Sequence, residues 1–272
     1  MSSFESAISR SELMDKPKSI GTTIKRLPGQ GLREKRDELF DRSVNEPAML
    51  MLAGWMVLVM EGLHVFGKVQ PNIWLGVLFA AVFTVYAVCK IRRARREISM
   101  YKRGEEGERI VAQAIEQDLV PLGYVAFHDI PLEKDGRRFN IDHLLVGPNG
   151  IFAIETKYYT KPAKGSPEVK YDGKQILWNG VAHRDRDEIA QTMNNAQSAR
   201  TLISELTGMN VFVHPVLCAV GWCAKSSDLY GNPVLLTMEK TLKGTIPKVA
   251  VKQELSVEDR NRIIAALRRS AQ

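Results

Sequence analysis

The 272-residue sequence predicts an α/β domain with a mixed sheet, placed behind a pair of apolar helices. Three observations carry that prediction. From Gly104 onward the pattern of apolar positions reads helix, three strands, helix, strand, a succession that lays helices on a sheet. The stretch FNIDHLLVGPNGIFAIETK, residues 139–157, alternates on both sides of a turn sequence. Two earlier runs, residues 48–66 and 73–89, are apolar over 19 and 17 residues, close to the length that spans about 30 Å of hydrocarbon.

In chain order, residues 1–47 mix charge, serine and proline and read as a loosely ordered arm with one short helix at 32–44, LREKRDELFDRSV. The glycines of GQG at 29–31 lack the third glycine and the preceding strand of a dinucleotide-binding loop. The two apolar runs are separated only by GKVQPN, which makes a transmembrane hairpin, residues 48–90, with both ends on one side of the bilayer. The first run starts too far into the chain for a cleaved signal peptide. Residues 90–103, KIRRARREISMYKR, carry seven basic residues against one acidic. An excess of Lys and Arg in a short flank marks the cytoplasmic side, so both termini and the domain that follows are expected there, on an inner membrane. The same run, a juxtamembrane linker over 91–103, suits anionic lipid headgroups. It supplies nearly all of the net charge of +7, so the pI near 9.3 is no argument for nucleic-acid binding. Ala53 and Gly54 suit close packing of the two helices, or of two copies in a homo-oligomer. Glu61 and His64, one turn apart near the outer end of the first run, read as side chains that snorkel to the interface.

The soluble domain opens with GEEGERIVAQAIEQDL, in which Ile110, Val111, Ala114, Ile115 and Leu119 form one helical face. Glu108 falls on that same face, where a carboxylate is out of place. Strands follow at 124–130 and in the two halves of the 139–157 hairpin, then a small hairpin at 169–184. A helix from about Asp187 to Leu206 uses Ile189, Met193, Ala196, Ala199, Ile203 and Leu206 as its stripe. A central strand is expected within 211–223. A strand at 233–238 and a helix at 257–267 complete the domain, 104–230 with its C-terminal addition 231–272.

Alternation places Ile151, Ala153, Glu155 and Lys157 on one face of the hairpin's second strand, and Asn140, Asp142, Leu144 and Val146 together on its first. If Gly147-Pro148-Asn149-Gly150 is a four-residue loop, Val146 pairs with Ile151 and Asp142 lies across from Glu155, roughly 5 Å apart at Cβ. A three-residue loop with a bulge would put them on opposite faces; the four-residue loop is the expectation. Like charges so close are destabilising, and a cation between them removes the objection. Carboxylates on neighbouring strands can hold Mg²⁺, which prefers oxygen ligands and keeps several waters. Lys157, one repeat beyond Glu155, could orient a water or offset charge on a phosphate. The plainer alternative is a solvated strand face with a Glu/Lys pair.

GEEGE at 104–108, IDHLLVGPNGIFAIETK at 141–157 and the downstream helix with Gln191 resemble the NERD, or nuclease-related, domain over roughly residues 104–225. That family is similar to the PD-(D/E)xK nucleases. The resemblance implies a restriction-endonuclease-like αβββαβ fold and Mg²⁺- or Mn²⁺-dependent cleavage of DNA. It also implies roles: Glu108 as the acidic residue of the first helix, Asp142 and Glu155 as the metal-binding pair that Glu108 assists, Lys157 as the catalytic lysine, and Gln191 as the supporting glutamine. Where relatives often carry Asn-Pro before that glutamine, this chain has Asp187-Glu188. A membrane-anchored bacterial nuclease is the functional expectation; the alternative is an inactive scaffold of the same fold that grips DNA or a protein.

Other chemistries find little support. Cys89, Cys218 and Cys223 have no metal-type spacing and read as reduced thiols. GLHVFGK at 62–68 spaces its glycines and lysine like a phosphate loop, but Val69 replaces the Ser/Thr. His143 alternates away from Asp142 and reads as structural, and His214 with Cys218 reads as core.

Overall fold

The computed structural model describes residues 18–19, 26–64, 67, 70, 72–134, 136–172, 174–182, 187–224 and 233–270. Of the loosely ordered arm expected at 1–47, residues 1–17 and 20–25 lie outside the described residues. The chain divides into two compact units, one of residues 32–103 and one of residues 1–31 with 104–272. The arm is thus not one segment, because its part up to Gly31 joins the α/β unit and residues 32–47 belong to the helical one.

In the unit of residues 32–103, helix α1 (Gln30–Phe40) covers most of the helix expected at 32–44 and passes through a π-helical stretch (Asp41–Asn45) into α2 (Glu46–His64). Helix α3 (Ile73–Asp118) follows. Residues 91–103, expected as a linker, are helical and lie inside α3. The helical stretches Gln30–His64 and Ile73–Leu122 are long and apolar enough to cross a membrane. Their large apolar side chains, among them Met49, Trp55, Met60, Trp74, Leu78 and Val85, are exposed, which a helix buried in a soluble core would not show. Gly54 lets the backbones close up, since a Cβ there would stand 2.8 Å from Phe83 and 3.0 Å from the Phe79 carbonyl. Trp55 Nε1 donates to Thr84 Oγ1 at 3.2 Å across the same contact. The Glu61 carboxylate accepts from the Asn72 amide at 2.8 Å and lies 3.3 Å from His64 Nδ1, which ties the two helices together at their connection.

In the other unit, a six-stranded sheet has the order β1-β2-β3-β4-β8-β10. Its strands are β1 (Lys18–Ser19), β2 (Val125–Lys134), β3 (Arg137–Gly147), β4 (Gly150–Lys157), β8 (Val213–Ala219) and β10 (Leu235–Thr237). β2, β3 and β4 form an antiparallel meander, whereas β8 runs parallel to β4 and β10 parallel to β8. A parallel neighbour requires a crossover, and helix α4 (Glu188–Thr207) provides it. Asp187 starts that helix, its carboxylate accepting from the Ala190 amide, and Gly208, at φ 73°, ends it. A short helix α5 (Leu242–Thr245) follows β10, and α6 (Val257–Arg269), capped by Ser256, is the last described helix. The α/β class and the mixed sheet follow the expected succession, and the expected order helix, three strands, helix, strand is the core of this unit.

One face of the sheet, with Leu144, Val146, Ile151 and Ala153, packs against Ala196, Ala199, Leu202 and Ile203 of α4 and Ile263 and Leu267 of α6. The other face, with Leu145, Phe152 and Ile154, packs against Val111, Ile115 and Leu119 at the end of α3. The stripe expected on α4 needs correction at its N-terminal half: Met193 is exposed, and Glu188, Thr192 and Asn195 are buried. That half turns polar side chains inward because the sheet beneath it carries carboxylates there. The segment expected as one small hairpin at 169–184 becomes β5 (Glu168–Tyr171), β6 (Ile176–Trp178) and β7 (Val181–Ala182) of a second sheet, joined by β9 (Cys223–Ala224). Trp178 and Trp222 meet edge to face within it, 5.0 Å apart. His214 stacks on Phe152 at 4.8 Å and Cys218 is fully buried, so both are core residues as expected. All three cysteines are free thiols.

The β3–β4 turn rests on a close approach. A Cβ on Gly147 would lie 2.1 Å from the ring of Tyr124, which is buried and fixed by donating to Asn149 Oδ1. Gly147→Ala is therefore expected to destabilise the domain by about 1–3 kcal/mol, the usual cost of overpacking, with thermal unfolding followed by circular dichroism as the check.

Candidate acidic site

The register expected for the hairpin is the one observed. Val146 pairs with Ile151, although Gly147 and Gly150 also pair, so that only Pro148 and Asn149 are left to the loop. The ladder is described as far as His143–Ile154, and Asp142 and Glu155 come next in that register. Asp142 Oδ2 accepts from the Thr156 amide at 2.7 Å, which anchors its carboxylate at the end of the strand pair.

Glu155 is the most heavily bonded of the group. Its Oε1 accepts from Lys157 Nζ at 2.6 Å and from Gln191 Nε2 at 2.7 Å, and its Oε2 accepts from Asn195 Nδ2 at 2.5 Å. Lys157 Nζ also donates to Gln191 Oε1 at 2.8 Å, which closes a ring of three side chains. β4 supplies Glu155 and Lys157 two residues apart on one face, and α4 supplies Gln191 and Asn195 one turn apart, so both pairs face each other by simple periodicity. Glu108 arrives from the end of α3, 5% exposed, with Oε2 accepting from the Gly29 amide at 3.0 Å.

Electrostatics couples the four charged residues among those expected, Glu108, Asp142, Glu155 and Lys157, and hydrogen bonds join Gln191 to them. Burial pushes the Glu108 carboxyl up to about 8, and the charges of Asp129 and Glu155 push the same way. Dense surroundings also hold Asp142 well above the usual carboxylate range, helped by Glu155 and Glu108. Burial works against the Lys157 ammonium, but the Glu155 carboxylate beside it outweighs that cost and raises its pKa. Carboxyl groups therefore outnumber the cations described beside them, Lys157 and Arg26, and two of the four, Glu108 and Asp142, are pushed toward their protonated form.

Two residues of the site were missed in the sequence. Asn195 sits four positions after Gln191, a helical repeat that could have marked it. Asp129 lies on β2 between the pairs His128–His143 and Ile130–Ile141, hence level with Asp142, in a left-handed conformation with φ 51°. It is 1% exposed and accepts from Asn140 Nδ2 and from the Gly31 amide, with Arg26 Nε 2.8 Å away. The Asp-Gly dipeptide at 135–136 is a hairpin signal that would have set this register. His143, expected to be structural, is fully buried with Nδ1 2.8 Å from His128 Nδ1.

Whether these residues fit a divalent cation has a divided answer. Hard oxygen donors in a site with more carboxyl groups than cations suit Mg²⁺ or Mn²⁺. The ligand set expected of Glu108, Asp142 and Glu155 is not assembled as a chelate, however: among the described residues no three carboxylate, imidazole or thiol side chains are grouped as metal ligands. The physical reason is that Glu155 is already satisfied by Lys157, Gln191 and Asn195. A fit remains for Mg²⁺, which commonly takes one or two carboxylates and completes its shell with water.

The fold and site together define an α/β domain with a buried row of carboxylates and a lysine at its edge. The family model of the nuclease-related domain, NERD, matches residues 103–220. That range contains Glu108, Asp129, Asp142, Glu155, Lys157, Gln191 and Asn195, and it leaves out the N-terminal residues that contact Glu108 and Asp129. No curated protein matches the chain.

The raised Glu108 carboxyl gives a sign for the pH dependence of stability. The native state holds this proton to about pH 8, whereas the unfolded chain releases it near 4.5. The stabilisation is complete below the lower value and is lost as pH rises through the window to the upper one. Metal-free protein is expected to melt at progressively lower temperature across that range, and Glu108→Gln to flatten the dependence. Asp142→Asn, which keeps an acceptor for Thr156 and removes a repelling charge, is expected to raise the metal-free Tm by about 2–4 °C, corresponding to roughly 1 kcal/mol.

Proposed function

We propose that this chain is a membrane-anchored, metal-dependent nuclease that hydrolyses DNA phosphodiester bonds on the cytoplasmic side. The observation that carries the reading is the ring of Lys157, Glu155 and Gln191 beside the buried Asp142. A nuclease-related domain occupies the same residues. Two apolar helices supply the anchor, and the basic run 90–103 faces anionic headgroups with both termini in the cytoplasm. The hairpin helices are also the surface through which copies would associate.

Asp142 and Glu155 would hold Mg²⁺ or Mn²⁺, with Glu108 beside them; a bound ion supplies Lewis-acid polarisation of a phosphoryl oxygen and a water acidic enough to ionise near neutral pH. Gln191 and Asn195 fix the plane of the Glu155 carboxylate from the helix side. Thr156 fixes Asp142 from the backbone. Lys157 keeps its proton, because Glu155 raises its pKa, and so acts as a positive charge that orients the attacking water or offsets charge on the phosphate. Substrate entry must part the Lys157–Glu155 contact, since the ammonium cannot serve both partners fully.

The second reading, an inactive scaffold of the same fold that grips DNA or a protein, is favoured by that same closed contact and by the absence of a three-ligand group among the described residues. Full-length protein in detergent, incubated with DNA and Mg²⁺ or Mn²⁺, separates the two. Cleavage is expected, with Lys157→Ala and Asp142→Asn lowering kcat by about 10²–10³-fold. Calorimetry should show Mn²⁺ binding to wild type that Asp142→Asn weakens. Absent cleavage together with absent Mn²⁺ binding establishes the scaffold.

A further inference from the structure

The glycines of GQG at 29–31 have no place in a nucleotide loop, yet both meet the acidic site. The Gly29 amide donates to Glu108 Oε2 at 3.0 Å and the Gly31 amide to Asp129 Oδ2 at 2.9 Å. Arg26 Nε lies 2.8 Å from the same Asp129 oxygen. Both carboxylates are buried, 5% and 1% exposed, so each depends on protein donors. We infer that residues 26–31, outside the matched nuclease-related domain, are a built part of the acidic site: a positioning strap that holds Glu108 and Asp129 in place for the proposed reaction.

The chemistry of the strap is specific. Amides at the opening of a helix have no partner within it, so Gly29 and Gly31, flanking the start of α1, are donors in need of acceptors. Two residues apart, they present one amide to the helix carboxylate and one to the strand carboxylate. Both positions demand glycine. Gly29 has φ 74°, and a Cβ there would lie 3.0 Å from the Glu105 backbone. A Cβ on Gly31 would lie 2.1 Å from Asn140 Nδ2 and 3.0 Å from Asp129 Oδ1, between the very groups that fix Asp129. Further upstream, β1 pairs with the strand that carries Asp129, Lys18 with Glu133 and Ser19 with Leu132.

Asp129 lies close enough to Glu108 for its charge to oppose ionisation of the Glu108 carboxyl, so the two would separate if nothing held them. Donors aimed at the outer oxygens of both draw them toward the strap. They act through those two residues and not on substrate, which makes them positioning groups. This rests on the nuclease reading for its kinetic consequence alone; the contacts themselves are tested without it.

The test uses the full-length chain. Gly31→Ala and Arg26→Ala are each expected to lower kcat for DNA cleavage at least tenfold while KM for DNA stays within twofold. Gly244→Ala, where an added Cβ meets nothing within 4 Å, serves as the control. In protein labelled with ¹⁵N-glycine, the Gly29 amide resonance is expected to move in Glu108→Gln and the Gly31 resonance in Asp129→Asn, with the other glycines in place. Cleavage unchanged within twofold in both strap variants overturns the inference. So do Gly29 and Gly31 resonances that ignore the two carboxylate changes. If wild type cleaves nothing, the nuclease reading fails, and the resonances still decide the strap: movement supports it and indifference overturns it.

Discussion

Too many carboxylates around one ammonium is the constraint on which the α/β unit turns. Glu108, Asp129, Asp142 and Glu155 converge from a helix and three adjacent strands, and among the described residues the cations paired with them are Lys157 and Arg26. Every neighbouring feature answers that imbalance. The N-terminal half of α4 buries Glu188, Thr192 and Asn195 where a helix over a sheet would usually bury aliphatic residues. β2 adopts a left-handed residue in mid-strand. The backbone amides of Thr156, Gly29 and Gly31 are spent on carboxylates. Such an arrangement costs folding free energy, and strain of this kind collects where a site must act.

The surrounding core is what makes that cost bearable. Both faces of the central strands are packed with aliphatic side chains that are fully buried, so the acidic row occupies one end of an otherwise dry sandwich. Lys157 and Glu155 lie at the end of β4, whose other neighbour, β8, runs parallel to it and cannot be displaced without moving α4. Rigid strands and a capped helix thus hold side chains that would separate if left to their charges.

Much of this was legible in the sequence because strand alternation is a strict rule. Once Val146 was paired with Ile151, the position of Asp142 beside Glu155 followed, and so did the burial of His143. Glu108 was visible as a carboxylate on an apolar helical face. Other features were illegible for equally physical reasons. Asp129 sits where β2 departs from extended geometry, so alternation says nothing of it. The buried Glu188, Thr192 and Asn195 of α4 were not picked out, because periodicity reports which face is apolar and is silent on a buried face made of amides and carboxylates. The contacts of Gly29 and Gly31 join segments far apart in the chain, and no local pattern encodes them. The continuity of α3 through the basic run was hidden by its charge, which marks a membrane flank without marking a break in the helix.

The strap contacts span 79 and 98 residues of sequence. Loop-closure entropy makes such long-range pairings late events, formed only after local hairpins and helices exist to receive them. A ribosome delivers the glycines first and their acidic partners much later, with both apolar runs in between. Maturation of this centre therefore comes at the end of assembly, and a half-made polypeptide cannot bear a finished one.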